Sequence, residues 1–317
     1  MSAVLVRELV RRYADRADGT PAVALDGLSL EVEAGEVHGL LGPNGAGKTS
    51  LCRILSTILL PTSGTAEILG NDVVTQADRV KRDIGLVFGG DRGLYGRLTA
   101  RQNLTFWGGL YGLGGARLRR RVDELLDRTG LGERAHERVD KFSRGMKQRL
   151  HLARGLIADP PVLLLDEPTV GLDPVAAHDF RALLGELRSA GRSVLLTTHD
   201  MAEAAAVCDR VSLIDRGRVL LTERPEAVGR LVSRYERVDA AVVDAPLQDA
   251  LRAVPGVVSV TELSPGRARV ETRDTAATRL VLARLVAHDV AEISTGHPSL
   301  EEVYLHVMGS RGMRIGR

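Results

Sequence analysis

The chain has 317 residues, of which 44% are hydrophobic and 26% are charged, and this composition is typical of a soluble globular protein large enough for two domains. Its 43 basic and 41 acidic residues leave a net charge of +2, which is too balanced to indicate nucleic acid as a partner. No apolar run approaches the roughly 18 residues that a membrane-spanning helix needs. A function at a membrane would therefore require another chain to span it.

The amino-terminal part of the chain is predicted to form strands that lead into a phosphate-binding loop. Residues 4–12 have a strand pattern, and residues 25–33 alternate between apolar and polar side chains. Residues 36–41 are strand-like, and the sequence Gly42-Pro43-Asn44-Gly45-Ala46-Gly47-Lys48-Thr49 follows them directly. A strand, a GxxxxGKT loop and a helix in this order are the context that a phosphate-binding loop requires.

The residue types of this loop suit a phosphate chain. Glycines let the backbone curl so that successive N–H groups converge on one anion, and the following helix adds its positive N-terminal end. We predict that Lys48 reaches the terminal phosphates and that the Thr49 hydroxyl ligates Mg²⁺. A plain glycine turn would not explain these two residues together. The predicted nucleotide-binding residues here are Gly42, Asn44, Gly45, Ala46, Gly47, Lys48, Thr49 and Ser50.

A helical insertion is predicted at about residues 92–158, after further short strands at 66–69 and 84–88. Within it, the arginine-rich segment 117–128 carries apolar residues on one face and is interpreted as a solvated amphipathic helix, with a nucleic-acid patch as the alternative. Ser143 resembles a helix N-cap. That helix end would suit an anion, although the same segment alone would equally be an ordinary capped helix.

Two buried strands are predicted to end in polar side chains at the same edge of a parallel sheet. Apolar residues 162–165 lead into Asp166 and Glu167, and residues 194–198 lead into His199. Open α/β sheets bind ligands at this edge. We predict that Asp166 holds Mg²⁺ through its water shell and that Glu167 is the base for an attacking water. His199 is placed to touch the terminal phosphate.

The strand and helix patterns predict two domains. Residues 1–224 form an α/β domain, and residues 225–310 follow the order βαββαβ, which suggests a small ferredoxin-like α+β fold. A further helix is predicted to start at Pro298, and the basic tail at 311–317 is predicted to be disordered. The two cysteines, Cys52 and Cys208, lack metal-ligand spacing and are interpreted as structural thiols.

Taken together, these segments resemble the nucleotide-binding subunit of an ATP-binding cassette (ABC) transporter over residues 4–222. The motifs that carry the resemblance are the phosphate loop at 42–49, Phe142-Ser143-Arg144-Gly145-Met146 in place of the LSGGQ signature, the Walker B strand with Asp166 and Glu167, the D-loop at 170–173, and the switch residue His199. This ordered set is highly specific. It implies a P-loop NTPase cassette that binds and hydrolyses ATP with Mg²⁺.

The resemblance also implies partners and further contacts. Tyr13 would stack on adenine, Asp173 would belong to the D-loop part of the site, and two copies would sandwich two ATP molecules. Ser143 and Gly145 of one copy would then contact the γ-phosphate held by Lys48 of the other. We expect a second copy of this chain in preference to a different cassette.

The carboxy-terminal part is similar to the extension found in the drug-resistance and antibiotic-export branch of the family. This similarity implies an integral membrane permease of the ABC-2 type as a partner and a peripheral location at the cytoplasmic face of the cell membrane. It also implies a dimer-contact or regulatory role for residues 225–310, against which a merely stabilising appendage is the alternative. The cargo would be a drug, an antibiotic or a lipid-like molecule.

The sequence departs from the family pattern at two places. The signature has Arg144 and Met146 where glycine and glutamine are usual, while Ser143 and Gly145 are kept. The Q-loop glutamine, a magnesium ligand in the family, is replaced by Gly89. Either a water molecule takes the place of the missing magnesium ligand, or the Asp91 carboxylate does.

Two rival functions remain open from the sequence. A soluble ABC ATPase acting on ribosomes or nucleic acid usually has two cassettes in one chain or a long coiled coil, and neither is present. A binding module with degenerate ATPase activity would be supported by Gly89 alone.

Overall fold

The computed structural model describes residues 2–13, 22–88, 93–170, 172–232, 236–241 and 244–296, without the side chains of 229–232. The chain divides into two compact units, Met1–Arg224 and Pro225–Arg317.

The first unit contains two sheets. Its strands are β1 (Ser2–Tyr13), β2 (Ala22–Glu33), β3 (Val37–Leu41), β4 (Ser63–Ile68), β5 (Asn71–Asp72), β6 (Ile84–Phe88), β7 (Val162–Asp166), β8 (Ser193–Thr198), β9 (Arg210–Asp215) and β10 (Arg218–Glu223). One sheet has the order β2-β1-β4-β5 and is antiparallel. The other has the order β10-β9-β3-β8-β7-β6, and only its edge strand β10 runs antiparallel to its neighbour. The buried parallel strands explain the continuous apolar runs in the sequence.

The helices of the first unit are α1 (Lys48–Leu55), α2 (Ala77–Asp83), α3 (Ala100–Leu110), α4 (Gly115–Arg128), α5 (Arg144–Gly155), α6 (Pro174–Ser189) and α7 (Met201–Val207). Helices α3, α4 and α5 follow one another between β6 and β7 in the sequence, where the helical insertion was predicted. The arginine-rich helix α4 is amphipathic, as predicted, and its buried residues are Leu118, Val122, Leu125 and Leu126.

Strand register places three functional segments at one edge of the parallel sheet. Leu41, the last residue of β3, pairs with Thr198 of β8, and Asp166 of β7 pairs with Thr197. The chain segments that leave these three strands are the phosphate loop, the turn at Glu167 and the turn at His199. They therefore emerge side by side, as the sequence pattern predicted.

Hydrophobic periodicity in the sequence does not predict every element of the first unit. The two-residue strand β5 and the seven-residue helix α2 are too short for a periodic signal, and α2 buries only Val80. Helix α6 does carry a start signal, because Asp173 accepts a hydrogen bond from the backbone N–H of Ala176 and Pro174 occupies the first helical position. This signal could have located the helix.

The second unit contains one small sheet and its helices. The elements are α8 (Pro225–Val232), β11 (Glu236–Ala241), α9 (Ala245–Arg252), β12 (Val257–Ser264), β13 (Arg267–Thr272), α10 (Thr275–Ala287) and β14 (Ile293–Gly296). The strand order is β12-β13-β11-β14, with every neighbouring pair antiparallel. From β11 to β14 this is the βαββαβ arrangement expected from the sequence. The helix predicted from Pro298 and the tail at 311–317 lie outside the described residues.

Two glycines allow helix α5 to lie close against strand β6. A Cβ atom on Gly85 would overlap the carbonyl oxygen of Gly155. A Cβ atom on Gly155 would lie 2.8 Å from the side chain of Val87. Gly155 is the last residue of α5, so this close approach fixes the carboxy-terminal end of the helix against the sheet.

Substituting Gly85 with alanine is therefore expected to destabilise the first unit by about 1–3 kcal/mol, since the backbone oxygen of Gly155 cannot move without shifting α5. The matched control is Gly185→Ala in α6, where an added Cβ meets nothing within 4 Å, and where alanine should stabilise the helix by about 0.5–1 kcal/mol. Urea unfolding of both variants measures the two effects. Equal stability of the two variants would contradict this close packing of α5 on β6.

Candidate functional site

The phosphate loop joins β3 to α1, and its tight packing requires glycine at two positions. A Cβ atom on Gly42 would overlap the carbonyl oxygen of Ile214, and one on Gly47 would overlap that of Ala24. Gly45 and Gly47 also have φ values of +83° and +110°, which favour glycine. The loop is further tied to the β9–β10 turn, because the backbone N–H of Gly217 donates to the carbonyl of Ala46 at 2.9 Å. The backbone thus forms a tight and preorganised cradle.

Lys48 lies folded over this cradle and is only 5% exposed. Its Nζ donates to the carbonyl oxygens of Gly42 at 2.6 Å and Pro43 at 3.3 Å. The same atom lies 3.2 Å from Oε1 of Glu167. A buried ammonium is costly without anionic or strongly polar partners, and this one faces the space between the loop and the end of β7. The position fits a phosphate group.

Asp166 and Glu167 follow β7 with different environments. The buried carboxylate of Asp166 accepts a hydrogen bond from Oγ1 of Thr197 at 2.6 Å. Glu167 has a φ of +53°, a backbone conformation that costs about 1–3 kcal/mol for a residue other than glycine. Its N–H donates to the carbonyl oxygen of Thr197 at 3.0 Å. The turn therefore directs the two neighbouring carboxylates differently and holds both against β8.

Glu167 connects the phosphate loop to His199. While Oε1 faces Lys48, Oε2 lies 2.7 Å from Nδ1 of His199. Glu167 is 21% exposed and His199 is 53% exposed on their side chains, so this pair is accessible from solvent while Lys48 is not. The sequence predicted that the three residues share an edge, but it gave no sign that one carboxylate bridges the other two.

Tyr13, the last residue of β1, contacts the first turn of helix α1. Its hydroxyl is 3.1 Å from Oγ of Ser50, and the guanidinium carbon of Arg11 lies 4.7 Å from the centre of its ring. This contact is a cation–π interaction that covers part of the ring. Adenine stacking on Tyr13 stays a prediction. Asn44 of the phosphate loop and Thr49 of the first turn of α1 are both exposed.

Ser143, Gly145 and Asp173 form a second cluster. Ser143 caps α5 as predicted, and its Oγ accepts from the backbone N–H of Met146 at 3.2 Å. A Cβ atom on Gly145 would lie 3.9 Å from Oδ2 of Asp173. Asp173 in turn caps α6. The signature segment and the D-loop residue therefore meet within one copy of the chain.

Thr49 and Asp166 are the residues that suit Mg²⁺. No group of three or more histidine, cysteine, aspartate or glutamate side chains within the described ranges could hold a metal by itself. Mg²⁺ bound with a nucleotide does not need one, because it keeps several waters and takes one or two protein oxygens besides the phosphates. The Gly89 departure and the Asp91 hypothesis lie outside the described residues.

Cys52 and Cys208 are both buried free thiols. Burial raises the pKa of each thiol above its ordinary value, so both remain protonated and unreactive at neutral pH. This agrees with their interpretation as structural residues.

Comparison with known proteins identifies the family. Residues 25–170 match the family model described as ABC transporter. The chain is 39% identical over 315 residues to the daunorubicin resistance ATP-binding protein DrrA3 of Streptomyces coeruleorubidus, covering 97% of this chain and 96% of that protein. The chain belongs to the ABC transporter ATP-binding family. Its first unit is an ABC cassette, and the chain is an ATP-binding and ATP-hydrolysing transporter subunit.

Other relatives support the same assignment. The ABC transporter ATP-binding protein NatA of Bacillus subtilis is 40% identical over 233 residues, which cover 74% of this chain and 92% of NatA. The dimeric ATP-binding cassette MJ0796, solved with ADP and Pi, has a TM-score of 0.64 and 28% identity, and the match covers 70% of this chain and 98% of that one. Among the helices that the structure describes, none has the length and apolar character needed to cross a bilayer.

Replacing Thr197 with valine should slow ATP turnover by about 10-fold, because the charge-assisted hydrogen bond to Asp166 contributes about 1.5–3 kcal/mol and its loss lets the carboxylate move. The Mg²⁺ concentration for half-maximal turnover should rise as well. Steady-state ATPase assays over a Mg²⁺ titration measure both quantities.

The control for this substitution is Thr129→Val, which removes another buried hydroxyl, bonded to the carbonyl of Leu125 at 2.7 Å. Unchanged Mg²⁺ dependence in the Thr197 variant, or the same change in both variants, would show that Thr197 does not position Asp166.

Proposed function

We propose that the chain hydrolyses Mg-ATP with Glu167 as the general base and His199 as its positioning partner, and that hydrolysis drives export through a separate membrane permease. The observation that carries this proposal is the Glu167 carboxylate, which contacts both Lys48 at 3.2 Å and His199 at 2.7 Å. A base must be fixed within hydrogen-bond reach of the proton that it takes. These two contacts supply that fixation.

The contacts suggest an order of events. Lys48 is paired with Glu167 in the structure, and a phosphate in the cradle offers the ammonium a stronger anionic partner. Lys48 then leaves Oε1 of Glu167 free to accept the proton of a water molecule, while His199 keeps Oε2 in place. Mg²⁺, held by Thr49 and Asp166, would neutralise the phosphate charge.

A second copy of this chain would complete the site. Helix α5 presents the backbone N–H groups of its first turn, and Gly145 has no side chain to block an approaching anion. MJ0796 was solved as a dimer with ADP and Pi. We infer that Ser143 and Gly145 of one copy contact the γ-phosphate bound by Lys48 of the other, with a homodimer preferred over a pair of different cassettes.

The proposed direction of transport and type of partner rest on the relatives. DrrA3 is named for daunorubicin resistance, and a Nod factor export ATP-binding protein I of Cupriavidus metallidurans is 41% identical over 226 residues. These names support an exporter with a permease of the ABC-2 type and a peripheral location of the chain at the cytoplasmic membrane face. Exposed apolar residues around α3 would suit permease docking: Tyr95, Phe106, Leu110 and Tyr111.

Replacing the Glu167 carboxylate with an amide tests the proposed chemistry. Glu167→Gln should slow turnover by about 10²–10⁴-fold, the range that a general base supplies. Nucleotide affinity should remain, because the cradle and Lys48 are unchanged. Single-turnover hydrolysis and equilibrium nucleotide binding measure the two quantities separately. Turnover near that of the unchanged chain would end the role assigned to Glu167.

The same variant tests the proposed partner, since slow hydrolysis prolongs the ATP-bound state. Tagged Glu167→Gln protein, gently extracted from membranes of its host with ATP and Mg²⁺, should copurify with an integral membrane protein in near-equal amount. The hydropathy of that protein should show about six spanning helices. Recovery with ribosomal proteins or nucleic acid instead would mean that the cassette acts on ribosomes or nucleic acid and not on a membrane permease.

A further inference from the structure

Glu203 lies directly behind the two turns that carry Glu167 and His199. It belongs to helix α7 and is only 6% exposed. Its Oε2 accepts hydrogen bonds from the hydroxyls of Thr169 at 2.6 Å and Thr198 at 3.2 Å. Thr169 follows Glu167 by two residues, and Thr198 immediately precedes His199. One carboxylate oxygen therefore joins both turns.

Neighbouring hydrogen bonds hold this carboxylate in place. The side chain of Asp200 caps α7 by accepting from the backbone N–H of Glu203 at 2.9 Å. The N–H of Asp200 donates to the hydroxyl oxygen of Thr198 at 2.9 Å. The Thr198 hydroxyl thus accepts from one residue and donates to another, which fixes its direction. The carboxylate is therefore tied to the turn at His199 through Thr198 and Asp200.

Structural stability alone does not require a carboxylate here. Oε1 of Glu203 is buried and has no hydrogen-bond partner, and a buried charged group with incomplete hydrogen bonding is costly. Burial raises the pKa of the Glu203 carboxyl, and the hydrogen bonds from Thr169 and Thr198 partly oppose this shift. The charged groups that act on it are Asp200 of its own turn and Arg181 of α6.

We propose that Glu203 is a positioning residue for hydrolysis. By holding Thr169 and Thr198 on one oxygen, it keeps the two turns at a fixed separation and so maintains the 2.7 Å contact between Glu167 and His199. The inference rests on the catalytic roles proposed above for that pair. Glu203 acts through the two threonines and not by touching ATP.

Two substitutions separate the hydrogen-bonding role from the charge. Glu203→Ala removes the shared acceptor, so kcat of the full-length chain should fall about 10-fold or more, because misplacing catalytic groups by about 1 Å can cost up to 10²-fold. Nucleotide affinity should stay within about twofold, since the phosphate cradle is separate. Glu203→Gln retains an acceptor oxygen for both threonines and should restore most of kcat.

Glu36 provides the matched control. It is a buried carboxylate, 7% exposed, that accepts from the N–H of Glu33 and contacts His38. It directly precedes β3 and lies at the edge of the sheet opposite the phosphate loop. Glu36→Ala measures what losing a buried carboxylate does to kcat through stability alone. A fall in kcat as large as that of Glu203→Ala would overturn the inference.

A double-mutant cycle with His199→Ala measures the coupling between the two substitutions in ATP turnover, which general destabilisation of the protein would not produce. If Glu203 works by maintaining the contact between Glu167 and His199, that contact is already lost in His199→Ala. The double variant His199→Ala/Glu203→Ala should then turn over no more slowly than His199→Ala alone. Independent multiplication of the two effects would contradict the proposal. If Glu167→Gln and His199→Ala both hydrolyse ATP at the rate of the unchanged chain, the catalytic roles proposed for Glu167 and His199 are wrong. If only Glu203→Ala hydrolyses ATP at that rate, the positioning role of Glu203 alone is wrong.

Discussion

A single ion pair in the first unit organises the site: the buried ammonium of Lys48 against the carboxylate of Glu167, 3.2 Å apart. A cation buried to this degree needs a partner in any state of the protein. Glu167 provides that partner here, and its other oxygen contacts His199. The same carboxylate can therefore serve as counterion before phosphate binds and as base afterwards. Glu167 makes its contacts with Lys48 and His199 from a backbone conformation with positive φ, which is costly for a residue other than glycine.

The sequence predicts much of this arrangement because its signals are local. The glycines and Lys48 of the phosphate loop, the apolar run before Asp166 and the N-cap Ser143 each lie within a few consecutive residues. Parallel strands then bring the loop and the two strand-end turns together without any further information. The edge of the sheet at which the site lies follows from the shared direction of these parallel strands.

Other features depend on contacts between distant residues and could not be predicted. The bridge made by Glu167 joins residues that follow three different strands. The hydrogen bond from Thr169 to Glu203 joins residues 34 positions apart. Gly85 looks like an ordinary strand glycine until helix α5 is seen against it. His38 also shows this limit, since its buried contact with Ser212 joins residues 174 positions apart.

The relatives differ in how much of this chain they match. DrrA3 matches 97% of this chain, so the similarity extends through the second unit, whereas NatA matches 74%. ATP chemistry belongs to the first unit, where all the motif residues lie. A dimer-contact or regulatory role for the ferredoxin-like second unit is a proposal that agrees with its presence in the drug-resistance relatives.

Mixing two inactive variants tests whether a second copy of the chain completes each site. Lys48→Ala lacks the phosphate-loop cation, and Ser143→Arg blocks the signature helix end. A dimer with one copy of each has one fully intact site, whereas each variant alone has none. Completion of each site by a second copy predicts that ATP turnover reappears on mixing. Turnover no greater than the sum of the separate variants, with mixed dimers demonstrably formed, would contradict it.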